Sequence, residues 1–226
     1  MAARGAYLLS LPGTTPYAEA MDQQANLAAA RNQGAIPDTV MVLEHEPVIS
    51  LGSRAVRGEE LLLAAVEYTR RGIEVVEVGR GGRSTYHGPG QIVCYPILDL
   101  RDHGKDMHRY VRNLEETIIR TLAELGVKGH RVDERHASGV WVEDRKIASI
   151  GVRCAHWITT HGLSLNVDLD LAVYETFDAC GLGGARFTSI AAELGRPVDV
   201  DEVRPVLTGC FGEVFDIAFD QVPSAA

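Results

Sequence analysis

The chain has 226 residues, 46% of them hydrophobic and 23% charged, enough apolar material to bury a core as a single domain over 1–226. A formal net charge of −9 argues against a nucleic-acid surface unless charge is strongly segregated, and apolar runs no longer than Leu61–Val66 argue against a membrane span. The opening MAARGAYLLSLPG has too brief an apolar stretch for a signal peptide, and Cys94, Cys154, Cys180 and Cys210 form no CxxC pair, so the cysteines read as reduced thiols of a cytoplasmic protein.

In chain order, Pro16 to Arg31 reads as a helix, with Thr15 as N-cap, Pro16 in the first turn and Gly34 beyond the end. The β-rich runs 39–45 and 47–52 follow, separated by Pro47. A helix over 59–71 stops at Gly72, and a strand over 73–79 feeds the glycine-rich stretch GRGGRSTYHGPGQ, residues 79 to 91. A strand over 92–100 leaves it. Apolar residues at 107, 110, 111, 114, 118, 122 and 125 predict an amphipathic helix over 106–125. GVWVEDRKIASIGV reads as two strands joined through Glu143-Asp144-Arg145, 158–169 as another strand, and a helix from about Asp201 as the last element. Strands outnumber helices without alternating with them, which predicts an α/β (α+β) fold in which a mixed β-sheet is flanked by helices.

The glycine stretch is not a phosphate loop. It lacks the Gly-Lys-Ser/Thr ending of a P-loop, and Gly79-Arg80-Gly81-Gly82-Arg83-Ser84 lacks the third glycine of a dinucleotide fingerprint and leads into a strand. An ordinary hairpin loop would explain the glycines. Thr85-Tyr86-His87 between two glycine clusters points instead to a loop along which an elongated ligand lies against the backbone.

Among the cysteines, Cys180 sits in FDACGLGG, poor in bulk and loop-like, whereas Cys94, Cys154 and Cys210 fall in strands or a helix and read as small buried hydrophobes. A cysteine nucleophile acts as its thiolate, which a nearby cation or base must favour. Lys146 is one such partner, at the entrance of a strand where Lys146, Ala148, Ile150 and Val152 are expected on one face. A solvated hairpin lysine is the plainer reading, and His161 and His87 are rival bases. Cys154 and His156 with His161 or His87 would be needed for a metal site, but paired ligand motifs are lacking.

RGGRSTYHGPGQIVCYPILDL, RKIASIGVR, THGLSLNVDLDL and ACGLGGARFTSIAAELG stand in this order and, with LEHEPVISLG near the start, resemble the lipoyl(octanoyl) transferase family over roughly residues 15 to 200. The resemblance implies a fold shared with biotin and lipoate protein ligases. It implies transfer of an octanoyl group from acyl carrier protein to a lysine of lipoyl domains, those of 2-oxoacid dehydrogenases and the glycine cleavage H protein, without nucleotide, metal or other cofactor. On the same basis Cys180 is the acyl-accepting nucleophile and Lys146 its acid–base partner. Arg80, Gly81, Gly82, Arg83, Ser84, Thr85, Tyr86, His87, Ser149, Ile150, Gly151, His161, Gly162, Leu163 and Ser164 are implied to line the acyl site. Two positions depart from the family pattern: Ala179 stands where proline usually precedes the Cys-Gly, and LGSR at 51–54 replaces the more usual LGRR. Arg54, Arg57, Arg80 and Arg83 are the basic residues expected to meet an acidic carrier. Three other readings share some of these features: an ATP-dependent lipoate ligase, an amidotransferase between carrier domains, and a non-catalytic protein that docks carriers.

Overall fold

A computed structural model describes residues 3–132, 138–181 and 183–221. The elements run β1 (Arg4–Thr15), α1 (Tyr17–Asn32), β2 (Asp38–His45), β3 (Val48–Leu51), α2 (Arg57–Glu60), α3 (Ala65–Arg70), β4 (Glu74–Glu77), β5 (Ser84–His87), β6 (Gln91–Ile97), α4 (Met107–Glu124), β7 (Gly139–Val142), β8 (Arg145–Ala155), β9 (Ile158–Asn166), β10 (Arg186–Phe187), α5 (Ile190–Leu194), α6 (Val200–Phe215) and β11 (Ile217–Gln221). The main sheet has the order β10-β8-β9-β6-β2-β1-β11, with β7 also on β8, and a second sheet has the order β4-β3-β5. Parallel pairs (β1 with β2 and β11, β8 with β10) mix with antiparallel ones (β6 with β2 and β9, β8 with β9). This is the mixed, helix-flanked sheet that the element pattern predicts.

Alternation along the central strands sets the layers. Val40 and Val42 of β2, Ile92 and Cys94 of β6, and Leu163 and Leu165 of β9 share a core with Leu114, Ile118 and Leu122 of α4 and Leu207 and Phe211 of α6. Their neighbours Met41, Leu43, Val93 and Tyr95 point the other way and pack with Ala20 of α1. Burying each such large apolar side chain contributes roughly 1.5–3 kcal/mol. Asp106 caps α4 by accepting from the His108 and Arg109 amides, which fixes the start of that helix where the periodicity places it.

Four elements differ from the sequence reading. The single helix over 59–71 is broken into α2 and α3, because Leu61 leaves the helix to bridge with Phe177 and Glu60 is drawn into the interior. Thr15 closes β1 rather than capping α1, whose first turn follows Pro16 with no side-chain cap. Strand β1 itself gives no clean alternation, with a register shift between Ser10 and Thr14. The helix from about 201 is followed by β11, which pairs in parallel with β1 from the far end of the chain.

Candidate active site

Lys146 lies on β8 with strands on both sides: it pairs with Trp141 of β7 and Phe187 of β10, and its carbonyl accepts from the Thr188 amide at 3.0 Å. The β7–β8 register shifts between Val140 and Trp141, where Trp141 pairs with Lys146 but Val140 pairs with Ala148. Ile147 is therefore a bulge residue, and bulges re-aim the side chains beside them. This corrects the expectation of one shared face. Ile147, Ala148, Ile150 and Val152 pack with the α4 core, whereas Lys146 turns toward the opposite side with Ser149. At 1% exposure, its ammonium donates to Ser138 O at 3.1 Å, faces Cys180 Sγ at 3.6 Å and lies 5.6 Å from the centre of the Trp141 indole. No carboxylate pairs with it among the described residues.

Cys180 occupies a short turn, Ala179–Gly181, with the left-handed backbone φ 62°, ψ 6°. Such a conformation costs a non-glycine residue about 1–3 kcal/mol and persists only where its surroundings enforce it. Those surroundings are built around Glu60, whose carboxylate is fully buried. One oxygen accepts from Arg83 Nε at 2.6 Å and the other from the Ser84 amide at 2.7 Å, while the Glu60 carbonyl accepts from the Asp178 amide at 2.7 Å. Ser84 Oγ then donates to Asp178 O at 2.8 Å. The glycine loop and the cysteine turn are thus joined through one acid. The pairing with Glu60 raises the Arg83 pKa above its ordinary value. Arg83 lies across Gly181, where a Cβ would stand 2.4 Å from its Cδ. Ser149 Oγ is 4.0 Å from Sγ on the other side. Cys94 and Cys210 are buried as expected, whereas Cys154 is half-buried, and burial pushes all three thiols up.

Between these groups lies a cavity of about 180 Å³. Residues 80–85 and 87, 149–151 and 161–164 all border it. Tyr86 does not. Alternation on β5 sends its ring into the core of the small sheet beside Tyr174, and its hydroxyl covers Gly88, where a Cβ would come within 2.2 Å. Ser149 and Ser164 face each other across β8 and β9. Sequence reasoning missed Glu60, Tyr95, Val111 and Ser138.

Arg80 is not a docking residue: it is 5% exposed. Its Nη2 donates to Ser50 O at 2.7 Å and Ser50 Oγ at 2.8 Å, and Nη1 to Gly81 O at 3.1 Å. The guanidinium fits because a Cβ on Gly52 would stand 2.8 Å from Nη1 and one on Gly151 3.3 Å. Gly52, Gly82 and Gly151 therefore serve this close packing of loop, arginine and strand. Burial pushes the Arg80 pKa down. Arg83 is bound to Glu60 and Glu59, Arg54 borders the cavity, and the Arg57 side chain lies outside the described residues.

The far end of the cavity holds imidazoles. His45 Nδ1 donates to Thr15 O at 3.0 Å, so its Nε2 accepts from the Tyr95 hydroxyl at 2.8 Å. His87 Nδ1 donates to Gln91 Oε1 at 2.7 Å, since Gln91 Nε2 is committed to Tyr86 O and Asn166 Oδ1. Burial pushes His45 and His161 down to about 4, and His87 well below its ordinary value, with His45 adding to the effect. His87 and His161 border the cavity beside Arg80, while His45 lies behind them against Tyr95 and His87, and the lowered pKa values favour the neutral form of all three rings. No three metal-ligating side chains converge among the described residues, and none of the described helices is long and apolar enough to cross a membrane.

Residues 16–212 match the model of the lipoyl protein ligase A/B catalytic domain. The chain belongs to that family. Within it, the octanoyltransferase of Chloroflexus aurantiacus is 47% identical over 206 residues, covering 90% of this chain and 91% of that one. Among solved structures, lipoate-protein ligase A bound with ATP matches with a TM-score of 0.74 at 18% identity, over 99% of this chain and 90% of that one. Biotin protein ligase from Aquifex aeolicus matches at 0.52 and 12% identity, over 94% and 69%. At these identities the structures share the fold alone. The fold is the one that the family resemblance implies, and Cys180 and Lys146 face each other inside it.

Proposed function

We propose that this octanoyltransferase-family chain moves an octanoyl or lipoyl group from acyl carrier protein to a specific lysine of lipoyl domains, through a thioester on Cys180, in lipoate biosynthesis. The observation that carries the reading is a buried ammonium without a carboxylate partner among the described residues, 3.6 Å from a cysteine sulfur at the head of a cavity. An ammonium so placed, away from bulk water, stabilises a sulfur anion by direct Coulomb attraction.

In the first half-reaction the Cys180 thiolate attacks the carbonyl carbon of the carrier thioester. The new C–S bond forms, the bond to the carrier sulfur breaks, and Lys146 gives its proton to the departing thiolate. In the second, neutral Lys146 takes a proton from the incoming lysine amine as its nitrogen attacks the Cys180 thioester; the C–N bond forms and Cys180 leaves as thiolate. Exchange of thioesters is near thermoneutral and thioester to amide is downhill, so no nucleotide enters. The Gly181 amide already donates to Asp178 O at 3.3 Å, which leaves the Lys146 ammonium as the cation beside the tetrahedral oxygen. Lipoyl domains of 2-oxoacid dehydrogenases and the glycine cleavage H protein are the acceptors this reading assigns.

Intact-protein mass after mixing with octanoyl-acyl carrier protein, without ATP, tests it. The expected result is one octanoyl adduct on the wild type and none on Cys180→Ala. An adduct that requires ATP, or none on either protein, would refute the thioester route in favour of a ligase or a docking protein. Transfer from an octanoylated carrier domain in preference to acyl carrier protein would make it an amidotransferase.

A further inference from the structure

A second cavity of about 510 Å³ lies between α1 and the sheet. Three segments run continuously from one cavity to the other. Residues 80–85 border the first and 77–79 the second; 149–152 border the first and 153 and 155 the second; 162–164 border the first and 158 and 160 the second. Among the described residues, His161 alone borders both. The two spaces therefore meet at His161.

That ring is held in place. His161 has φ 57° inside a strand, a left-handed backbone that turns its side chain out of the ordinary alternation at a cost of about 1–3 kcal/mol. Its amide donates to Gln24 Oε1 of α1 at 2.6 Å, and its ring meets Tyr95 edge-on at 6.1 Å. Its Nδ1 is buried and makes no hydrogen bond among the described residues, so the imidazole is not there to anchor a polar network. Beyond it, the second space is a cleft whose floor is lined by Met21, Ala28, Val78 and Ile158, and whose exposed rim carries Glu77, Arg153 and His156. The apolar floor suits methylene groups.

We infer that His161 is the partition that ends the acyl site, sets its chain-length limit and keeps the second cavity closed to the distal carbons of longer chains. The inference rests on the acyl reading of the first cavity. It predicts that removing the ring admits long chains into the space behind it. Because glycine adopts φ near +60° freely, His161→Gly deletes the wall while relieving backbone strain, and His161→Phe keeps a wall without an imidazole.

The test is competition for Cys180 between octanoyl- and tetradecanoyl-acyl carrier protein, read by intact-protein mass on the wild type and each variant. The tetradecanoyl-to-octanoyl loading ratio is expected to rise at least about tenfold in His161→Gly, equivalent to roughly 1.4 kcal/mol, and to stay within about threefold of wild type in His161→Phe. Adding Ala28→Phe to His161→Gly refills the second cavity and is expected to return the ratio toward wild type. An unchanged ratio in His161→Gly, an equal rise in His161→Phe, or a raised ratio that survives Ala28→Phe would each overturn the inference. So would loss of all loading in both single variants, since that is the mark of a required imidazole and not of a wall. A wild type that takes no octanoyl group at all would instead refute the parent reading.

Discussion

Lys146 and Cys180 stand 3.6 Å apart, yet they are positioned by different means. Lys146 is gripped by sheet register, with β7 on one side, β10 on the other and the Ile147 bulge aiming it. Cys180 sits in a strained turn that owes its place to hydrogen bonds converging on Glu60 and Asp178. A lysine in a sheet is set by many weak constraints shared along a strand, whereas a turn is set by a few strong ones. Substitutions therefore have different effects on the two halves: on the strand they change the chemistry and leave the place, and on the turn they change the place.

The largest effect is expected from Lys146→Met, which fills the same buried volume without the charge. The single-turnover rate of Cys180 acylation is expected to fall by about 10²–10⁴, the usual contribution of a positioned acid–base group, while the thermal midpoint stays level or rises because a buried cation with no carboxylate partner among the described residues is removed and the Cys180 thiol can take up a proton. A rate within about threefold of wild type would show that the proximity of Nζ and Sγ is incidental. Glu60→Gln comes next and acts on the other half. A carboxylate accepts with both oxygens, but an amide offers one acceptor, so either Arg83 Nε–H or the Ser84 N–H must face an NH₂ group. Losing one charge-assisted bond costs roughly 2 kcal/mol. The expected outcome is a melting point lower by roughly 4–8 °C together with about tenfold slower acylation. A stability loss with acylation unchanged would mean that the turn holds its shape without the acid.

The sequence shows these two halves unequally. Period-3.6 spacing locates α4, and runs rich in β-branched and apolar residues locate β2, β6 and β9, because the signal lies within the segment itself. Strands β1 and β11 pair in parallel across nearly the whole chain, a relation that no local pattern records. The bulge at Ile147 is equally hidden, and a one-residue slip is all that separates a core-facing Lys146 from the observed one. Cys180 and Lys146 are legible because their motifs are, and so are most of the cavity's borders. Glu60 is not, since in RGEELLL it reads as one acid of a solvated helix end. Only its bonds to residues 83, 84 and 178 give it a role. Tyr86 stands within a legible motif, but strand alternation turns it away from the cavity.

The smallest effect bears on whether the cysteine turn is also shaped by its own backbone. Ala179 stands where the family pattern has proline, and its amide donates to Phe177 O at 3.0 Å, a bond that proline cannot make. Ala179→Pro forfeits about 0.5–1.5 kcal/mol for that bond and gains about 0.4–1 kcal/mol by stiffening the unfolded chain. The two nearly cancel. Proline at 179 also disfavours the α region for Asp178, whose amide reaches Glu60 and whose carbonyl reaches Ser84. If those contacts set the turn, melting point is expected to move by no more than about 3 °C and acylation rate by no more than about threefold. A tenfold change in acylation at constant stability would locate the control of Cys180 in the Ala179–Phe177 bond, and Glu60 would then be the support of the glycine loop alone.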